Sequence, residues 1–375
     1  MSELKSSVIF GRRLVDFSSQ KFQMGCAASD TSHSQTKTSS KPVANGVHKD
    51  KAEEPKTDGG KTEDERVAVF KQLLMEKLMS IANEPPMKPL QPVEGTERTI
   101  LVPSIFNCQE TLAELNDTGI PTNSNVVVTY LKSGTHWVWE LMKMLKKKQA
   151  VADGIPKEMG HLEFFPPSVL RKINGSDMPV YATHFPLWCL PKSAYTNSQL
   201  VYVYRNPKDV CVSLFYHFQG MSEANPKDFP PLSFDQLFEM FMGPSEANLM
   251  GSWFDHVADY WDNHRTNTNV LCVMYEQLKK DPVTEIKRID KHIGSGATDG
   301  LVQEVVDATA FKTLKKTKES SEQHIAFLFK GTMYRKGEVG DWKNYFSDEQ
   351  SRRLDERLEQ WQKERAEPVP LIFEL

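Results

Sequence analysis

Three β-branched residues, Val126-Val127-Val128, lead into a short polar loop, Lys132-Ser133-Gly134-Thr135, and then into an apolar-rich segment from Val138 to Leu145. The first segment reads as a buried strand and the last as a helix, so the loop joins a strand to a helix N-terminus. This junction constrains the chain more than any other stretch. The free N–H groups of a helix's first turn and the positive end of its dipole favour an anion. Ser133 and Thr135 add hydroxyl donors, Lys132 adds a cation, and Gly134 lets the backbone approach a phosphate closely. The first glycine of the GxxxxGK(S/T) nucleotide loop is missing, so the loop does not read as an ATPase. Taken alone, it also fits an ordinary strand–helix turn with a surface lysine.

Two further strands are expected, at Leu200–Tyr204 and Val270–Tyr275, beside one at Val126–Tyr130. Val201-Tyr202-Val203-Tyr204 and Val270-Leu271-Cys272-Val273-Met274 are continuous apolar runs, as in strands covered on both faces. The pattern predicts a helix after each strand and another over Ser347–Arg365, with Leu354, Leu358 and Trp361 facing inward. The expected fold class is α/β, a single domain with a central, mainly parallel sheet flanked by helices. The composition, 39% hydrophobic and 26% charged with a net charge of −4, is that of a soluble protein and argues against non-specific nucleic-acid binding. No apolar run is long enough to cross a membrane. The five cysteines, Cys26, Cys108, Cys189, Cys211 and Cys272, are scattered and odd in number, which suits reduced thiols in the cytosol.

The stretch Thr129–Trp137 resembles the TYPKSGTTW signature of the cytosolic sulfotransferases. Arg205-Asn206-Pro207-Lys208-Asp209, running on to Ser213 after a strand, is similar to a second family motif, and Arg335–Asn344 to the family's RKGxxGDWKN block. The three occur in the family's order, and the resemblance runs from about Pro85 to Leu375. It implies transfer of a sulfuryl group from 3′-phosphoadenosine 5′-phosphosulfate (PAPS) to a hydroxyl or amine. PAPS carries two separate anionic ends, so its site needs two cationic centres. The Lys132–Thr135 loop suits the phosphosulfate. Arg205, Ser213 and Arg335-Lys336-Gly337 suit the 3′-phosphate, since arginine grips a phosphate through paired hydrogen bonds. If Asp209–Gln219 is helical, Ser213 lies one turn in, near the sheet edge where α/β proteins gather ligands.

By the same resemblance, His184 is the general base, Lys132 stabilises the leaving phosphate, and Ser213 touches both that lysine and the 3′-phosphate. A near-neutral imidazole suits such a base, although a lone histidine between apolar residues is more often structural. His136 and Met333 belong with the cofactor-binding residues. Tyr275, Thr309 and Phe311 are implied around the adenine, with Trp137 stacked on it; apart from the resemblance, these aromatics read as core. Phe164, with His184, is the expected acceptor wall, and Tyr216, His217 and Phe218 are candidates to extend it, with ordinary core packing as the alternative. Aromatic walls suit a flat or lipophilic alcohol, amine or phenol. No metal-ligand spacing is visible, and no metal is expected.

The chain departs from the family pattern at several positions. Leu131 replaces a proline, His136 a threonine and Ala310 a frequent serine, and Ala182 stands where many phenol-type members carry lysine. The dimer motif KxxxTVxxxE is lost: Ser347-Asp348 and Arg352 replace Thr-Val and Glu, which favours a monomer or a dimer formed differently. Two other readings stay open. One is a PAPS-binding protein with little or no turnover. The other is a kinase-like phosphoryl transferase, for which no convincing magnesium carboxylate is seen.

Before the family core lies an extension. Residues 1–64 read as a disordered tail, polar from about Ser29, and 65–84 as an amphipathic helix with Val67, Phe70, Leu73, Leu74, Leu78 and Ile81 on one face. The catalytic domain is expected over 85–375. The helix has three possible roles: docking on that domain, binding a partner or lying on lipid. Met24-Gly25-Cys26-Ala27-Ala28-Ser29 fits the M-G-x-x-x-S/T myristoylation pattern at Gly25, with Cys26 placed for palmitoylation. It would act only if Met24 were the start or the chain were cleaved there. Arg12, Arg13 and Asp16 break any signal-peptide core before it. A cytoplasmic location is expected, with attachment to a membrane face as the alternative.

Overall fold

The computed structural model describes residues 61–90, 98–175, 180–322, 328–330 and 334–375. The candidate lipidation sites Gly25 and Cys26, and Met333, lie outside them. Among the described residues six strands form two sheets. β1 (Met87–Leu90) and β2 (Ile100–Pro103) pair antiparallel. β3 (Asn125–Thr129), β4 (Tyr181–Thr183), β5 (Gln199–Tyr204) and β6 (Val270–Met274) form a parallel sheet in the order β4-β3-β5-β6. The order places β3 and β5 in the centre, and every residue of β3 is buried. Parallel strands end at one edge, and here Val128 faces Thr183, Thr129 faces Val203, and Tyr204 faces Met274.

The expected burial of β6 needs correction. Leu271, Cys272 and Met274 are only half-buried, and β6 is an edge strand of the sheet; the other edge strand, β4, is buried throughout. An apolar run does not distinguish a central strand from an edge.

Helices Thr135–Lys147, Pro207–Ala224, Trp253–His264 and Pro282–Ile293 pack around this sheet. The last long helix runs Asp348–Lys363, with Ser347 as its N-cap and Leu354, Leu358 and Trp361 buried.

The N-terminal helix covers Glu63–Ser80 rather than 65–84. Thr62 sets its start through a capping box: its N–H donates to Glu65 Oε2 at 2.7 Å, and its hydroxyl accepts from the Glu65 N–H at 3.3 Å. Its end precedes Pro85-Pro86, and Glu84 N closes a turn on the Ile81 oxygen at 2.8 Å. Val67, Phe70 and Leu74 are buried, whereas Leu73, Leu78 and Ile81 are half-buried. Phe70 meets Phe164 and Phe165 edge-on at 6.4 and 5.9 Å.

Candidate functional site

Each strand of the parallel sheet hands the chain to a site residue at the same edge. Lys132 follows β3, His184 follows β4, Arg205 follows β5 and Tyr275 follows β6. All four line one cavity of about 1780 Å³.

The loop after β3 is built for close approach. Lys132 has φ +64° and Gly134 φ +109°, a left-handed conformation that disfavours side chains. A Cβ on Gly134 would lie 2.7 Å from a Tyr275 ring carbon, so this position needs glycine for both backbone and space. Gly134 caps Thr135–Lys147 without a side-chain hydrogen bond, and the first turn holds no acid. Its N–H groups and dipole are therefore left to an anion. Among the described residues the buried Ser133 hydroxyl has no hydrogen-bond partner, nor has the Trp137 indole N–H. Thr135 Oγ1 lies 2.7 Å from Thr129 Oγ1.

His184 is tied to the end of β3. Its Nδ1 donates to the Thr129 carbonyl at 2.8 Å and lies 3.1 Å from Thr129 Oγ1. A carbonyl only accepts, so the proton sits on Nδ1 and Nε2 keeps its lone pair. Burial pushes the His184 pKa well below the usual 6.5, and the nearby His161 and Lys157 push the same way. The ring is neutral at pH 7. Glu163 secures the residue from behind: Oε1 accepts from the His184 backbone N–H and from Thr183 Oγ1 at 2.8 Å. The other oxygen of Glu163 stands 2.5 Å from His161 Nδ1, off the line of a hydrogen bond.

Arg205 sits over the Tyr275 ring at 4.4 Å. It donates to the carbonyls of Glu338 at 3.0 Å and Lys132 at 3.4 Å. Asp209 and Glu276 lie below it at 3.7 and 4.0 Å. Asp209 also explains why the third sequence motif reaches the second: its carboxylate accepts from the backbone N–H groups of Gly340 at 2.9 Å and Trp342 at 3.1 Å. Arg335 and Lys336 then share Asp341, each at 2.6 Å. Gly337, at φ +68°, makes room for Phe311, whose ring a Cβ there would overlap.

Most of the expected residues meet in this cavity. Gly134, Thr135, His136, Trp137, Phe164, Ser213, Thr309, Phe311, Arg335, Lys336 and Gly337 join the four strand-end residues in its lining. Ser133 lies buried beneath it. The Thr309 hydroxyl donates back to the Val305 carbonyl at 2.7 Å. His136 turns towards Glu158, 3.5 Å away, and burial pushes its pKa down to about 4.

The three aromatics proposed to extend the acceptor wall divide. His217 lines the cavity and stacks on Phe329 at 5.0 Å. Tyr216 and Phe218 do not line it: Tyr216 supports Arg335 at 4.5 Å and meets the Tyr345 hydroxyl at 2.7 Å. Sequence reasoning gave no role to Lys157, Glu158 or His161, which are buried in the cavity wall. The adjacency Lys157-Glu158 and the alternation His161-x-Glu163 in an otherwise apolar stretch were the available signals.

The fold and cavity define an α/β protein with an uncapped helix N-terminus at its strand ends beside a neutral histidine. A family model described as a sulfotransferase domain matches residues 123–365, and the chain belongs to the sulfotransferase family. Sulfotransferase 1A1 of Mus musculus is 33% identical over 285 residues, spanning 72% of this chain and 94% of that protein. Amine sulfotransferase of Oryctolagus cuniculus is 30% identical over 286 residues, spanning 70% and 88%. Mouse sulfotransferase SULT7A1, crystallised with PAP, is 27% identical with a TM-score of 0.58, covering 74% of this chain and 96% of that one. A retinol dehydratase crystallised with androsterone and PAP shares the fold at TM-score 0.62 and 20% identity, covering 80% and 96%.

Proposed function

We propose that the protein transfers a sulfuryl group from PAPS to the hydroxyl, or amine, of a small lipophilic acceptor. The observation that carries this is the pairing of a tautomer-fixed His184 with the anion loop across one cavity. The residues fit PAPS on three counts: the orphaned Ser133 hydroxyl, the Gly134 position that a Cβ would fill, and the uncapped helix N-terminus. When bound, PAPS supplies the activated sulfuryl group and a phosphate leaving group.

The chain's own residues would do the rest. The Lys132–Trp137 segment holds the phosphosulfate end, with the Lys132 ammonium neutralising the phosphate as it leaves. Arg205 and Ser213 hold the 3′-phosphate, with Arg335, Lys336 and Gly337 closing over it. Tyr275, Trp137, Thr309 and Phe311 surround the adenine. His184 Nε2 takes the acceptor's proton while Nδ1–H stays on Thr129. Phe164 and His217 wall the acceptor and exclude water. The group transferred is already anionic, so positioning and charge neutralisation carry most of the rate. No step requires a metal ion.

Among the described residues no helix is long and apolar enough to cross a membrane, and Cys108, Cys189, Cys211 and Cys272 are free thiols. Reduced thiols support a cytosolic location; membrane attachment would depend on Gly25 and Cys26. The deciding experiment is thermal unfolding with PAP (3′-phosphoadenosine 5′-phosphate), adenosine 5′-monophosphate or ATP. A ligand that binds only the native state raises the melting temperature. Selective stabilisation by PAP, followed by sulfate transfer from PAPS on an acceptor panel, is expected. Stabilisation by PAP with no transfer would leave a binding protein. Equal response to all three nucleotides would overturn the reading.

A further inference from the structure

The helix Glu63–Ser80 lies outside the matched family domain, yet it reaches the same cavity as His184. It presents two stripes. Val67, Phe70 and Leu74 pack into the core. Lys71, Met75, Leu78 and Met79, spaced one turn apart on a neighbouring face, line the cavity. A short chain of ring contacts joins this helix to the base. His184 and His161 are 4.7 Å apart, His161 and Phe164 6.0 Å, and Phe164 and Phe70 6.4 Å. The helix is therefore anchored on the back of the expected acceptor wall.

Met75 and Met79 are 43% and 68% exposed, large apolar side chains without a core of their own. Methionine is flexible and polarisable and fits irregular apolar partners. A drug-sized ligand fills a pocket of roughly 300–1,000 Å³. At about 1780 Å³ the cavity is larger than that.

We propose that this helix forms the outer half of the acceptor site, and that the acceptor is a hydroxyl or amine compound with an extended apolar tail. The reactive group would sit at His184, and the tail would run past Phe164 onto Met75, Leu78 and Met79. This rests on the sulfuryl-transfer reading, which assigns the inner half of the cavity. It differs from lipid-surface or partner binding because the stripe opens into the cavity that contains the base.

The test uses the full chain saturated with PAP and a series of 4-alkylphenols from ethyl to nonyl, titrated by calorimetry. Wild-type affinity is expected to rise about two- to fourfold per added methylene until the tail passes the helix. In Met75→Asp/Met79→Asp the dependence on chain length should flatten, whereas Met75→Leu/Met79→Leu should retain it. Both positions are exposed, so the fold should survive; an unchanged melting temperature and unchanged PAP binding check this. An identical slope in the aspartate variant, or a flat slope in wild type, would overturn the proposal. So would a flat wild-type slope combined with loss of binding to phosphatidylcholine vesicles in the variant, which would assign the stripe to lipid. The titration reads acceptor binding without turnover. Absent sulfate transfer would therefore fault the function, while the slope alone decides the role of the helix.

Discussion

His184 Nδ1 stands 2.8 Å from the Thr129 carbonyl oxygen, so the end of β3 dictates which nitrogen of that ring carries its proton. The carbonyl cannot donate, and Nε2 is left with its lone pair, as the proposed base needs. Strand pairing holds this relationship in place, since Val128 of β3 sits opposite Thr183, the residue before His184.

The first prediction concerns that base. His184→Gln should lower kcat by about 10²- to 10⁴-fold while PAP still raises the melting temperature. Burial depresses the His184 pKa, so the ring stays neutral below pH 6.5 and loses activity only as pH falls through its lowered value. The acid limb of log(kcat/KM) in wild type should therefore lie below 6.5. A limb at or above 6.5 would refute the assignment.

A second prediction follows from the charge around it. Lys157 is among the groups that lower the His184 pKa. Lys157→Met should move the acid limb to higher pH, and Lys157→Arg, which keeps the charge, should not. A purely structural lysine would lower expression or melting temperature in Lys157→Met and leave the limb where it was.

A third concerns Arg205. Arg205→Ala should weaken PAP binding by about 2 kcal/mol or more and affect adenosine 5′-monophosphate much less. The variant should also melt lower without ligand, because Asp209 and Glu276 lose the cation above them. Calorimetric titration of both nucleotides separates the two effects.

A fourth isolates a single carbon. Gly134→Ala would place a Cβ 2.7 Å from the Tyr275 ring at a φ of +109°. Urea unfolding should show a loss of about 1–3 kcal/mol, and PAP should stabilise this variant less than wild type. Unchanged PAP response would mean the loop relaxes without moving its N–H groups.

The last concerns acid stability. Burial pushes both His136 and His256 down to about 4. The unfolded chain binds protons at these positions near 6.5, which the folded chain refuses until lower pH. This contribution to stability is present above 6.5 and lost as pH falls from there towards 4. The melting temperature should decline across that window, and less steeply in His256→Gln.

The candidate site was legible where spacing along the chain places residues at strand ends. Lys132–Thr135, Arg205 and Tyr275 each follow an apolar run, so reading the strands also located their ends. His184 was legible only through resemblance, because β4 is three residues long and Tyr181-Ala182-Thr183 shows no run to recognise. Lys157 and Glu158 were missed because a short 3-10 turn, Lys157–Gly160, carries them to the cavity through packing between distant segments. The β1–β2 pair escaped because Met87-Lys88-Pro89-Leu90 contains a proline and no alternation. β6 was placed correctly, but its edge position was invisible: strand order is a property of the sheet and leaves no mark on one strand's composition.

The edge-on contacts of Phe70 with Phe164 and Phe165 also bear on how this enzyme can be remade. The same two core rings seat the extension on one side, and Phe164 faces the cavity on the other. Trading Phe164 for a smaller residue to widen the pocket would also loosen the helix. Transplanting this side of the cavity into a relative would require transplanting the helix with it, because the two share the same pair of core rings.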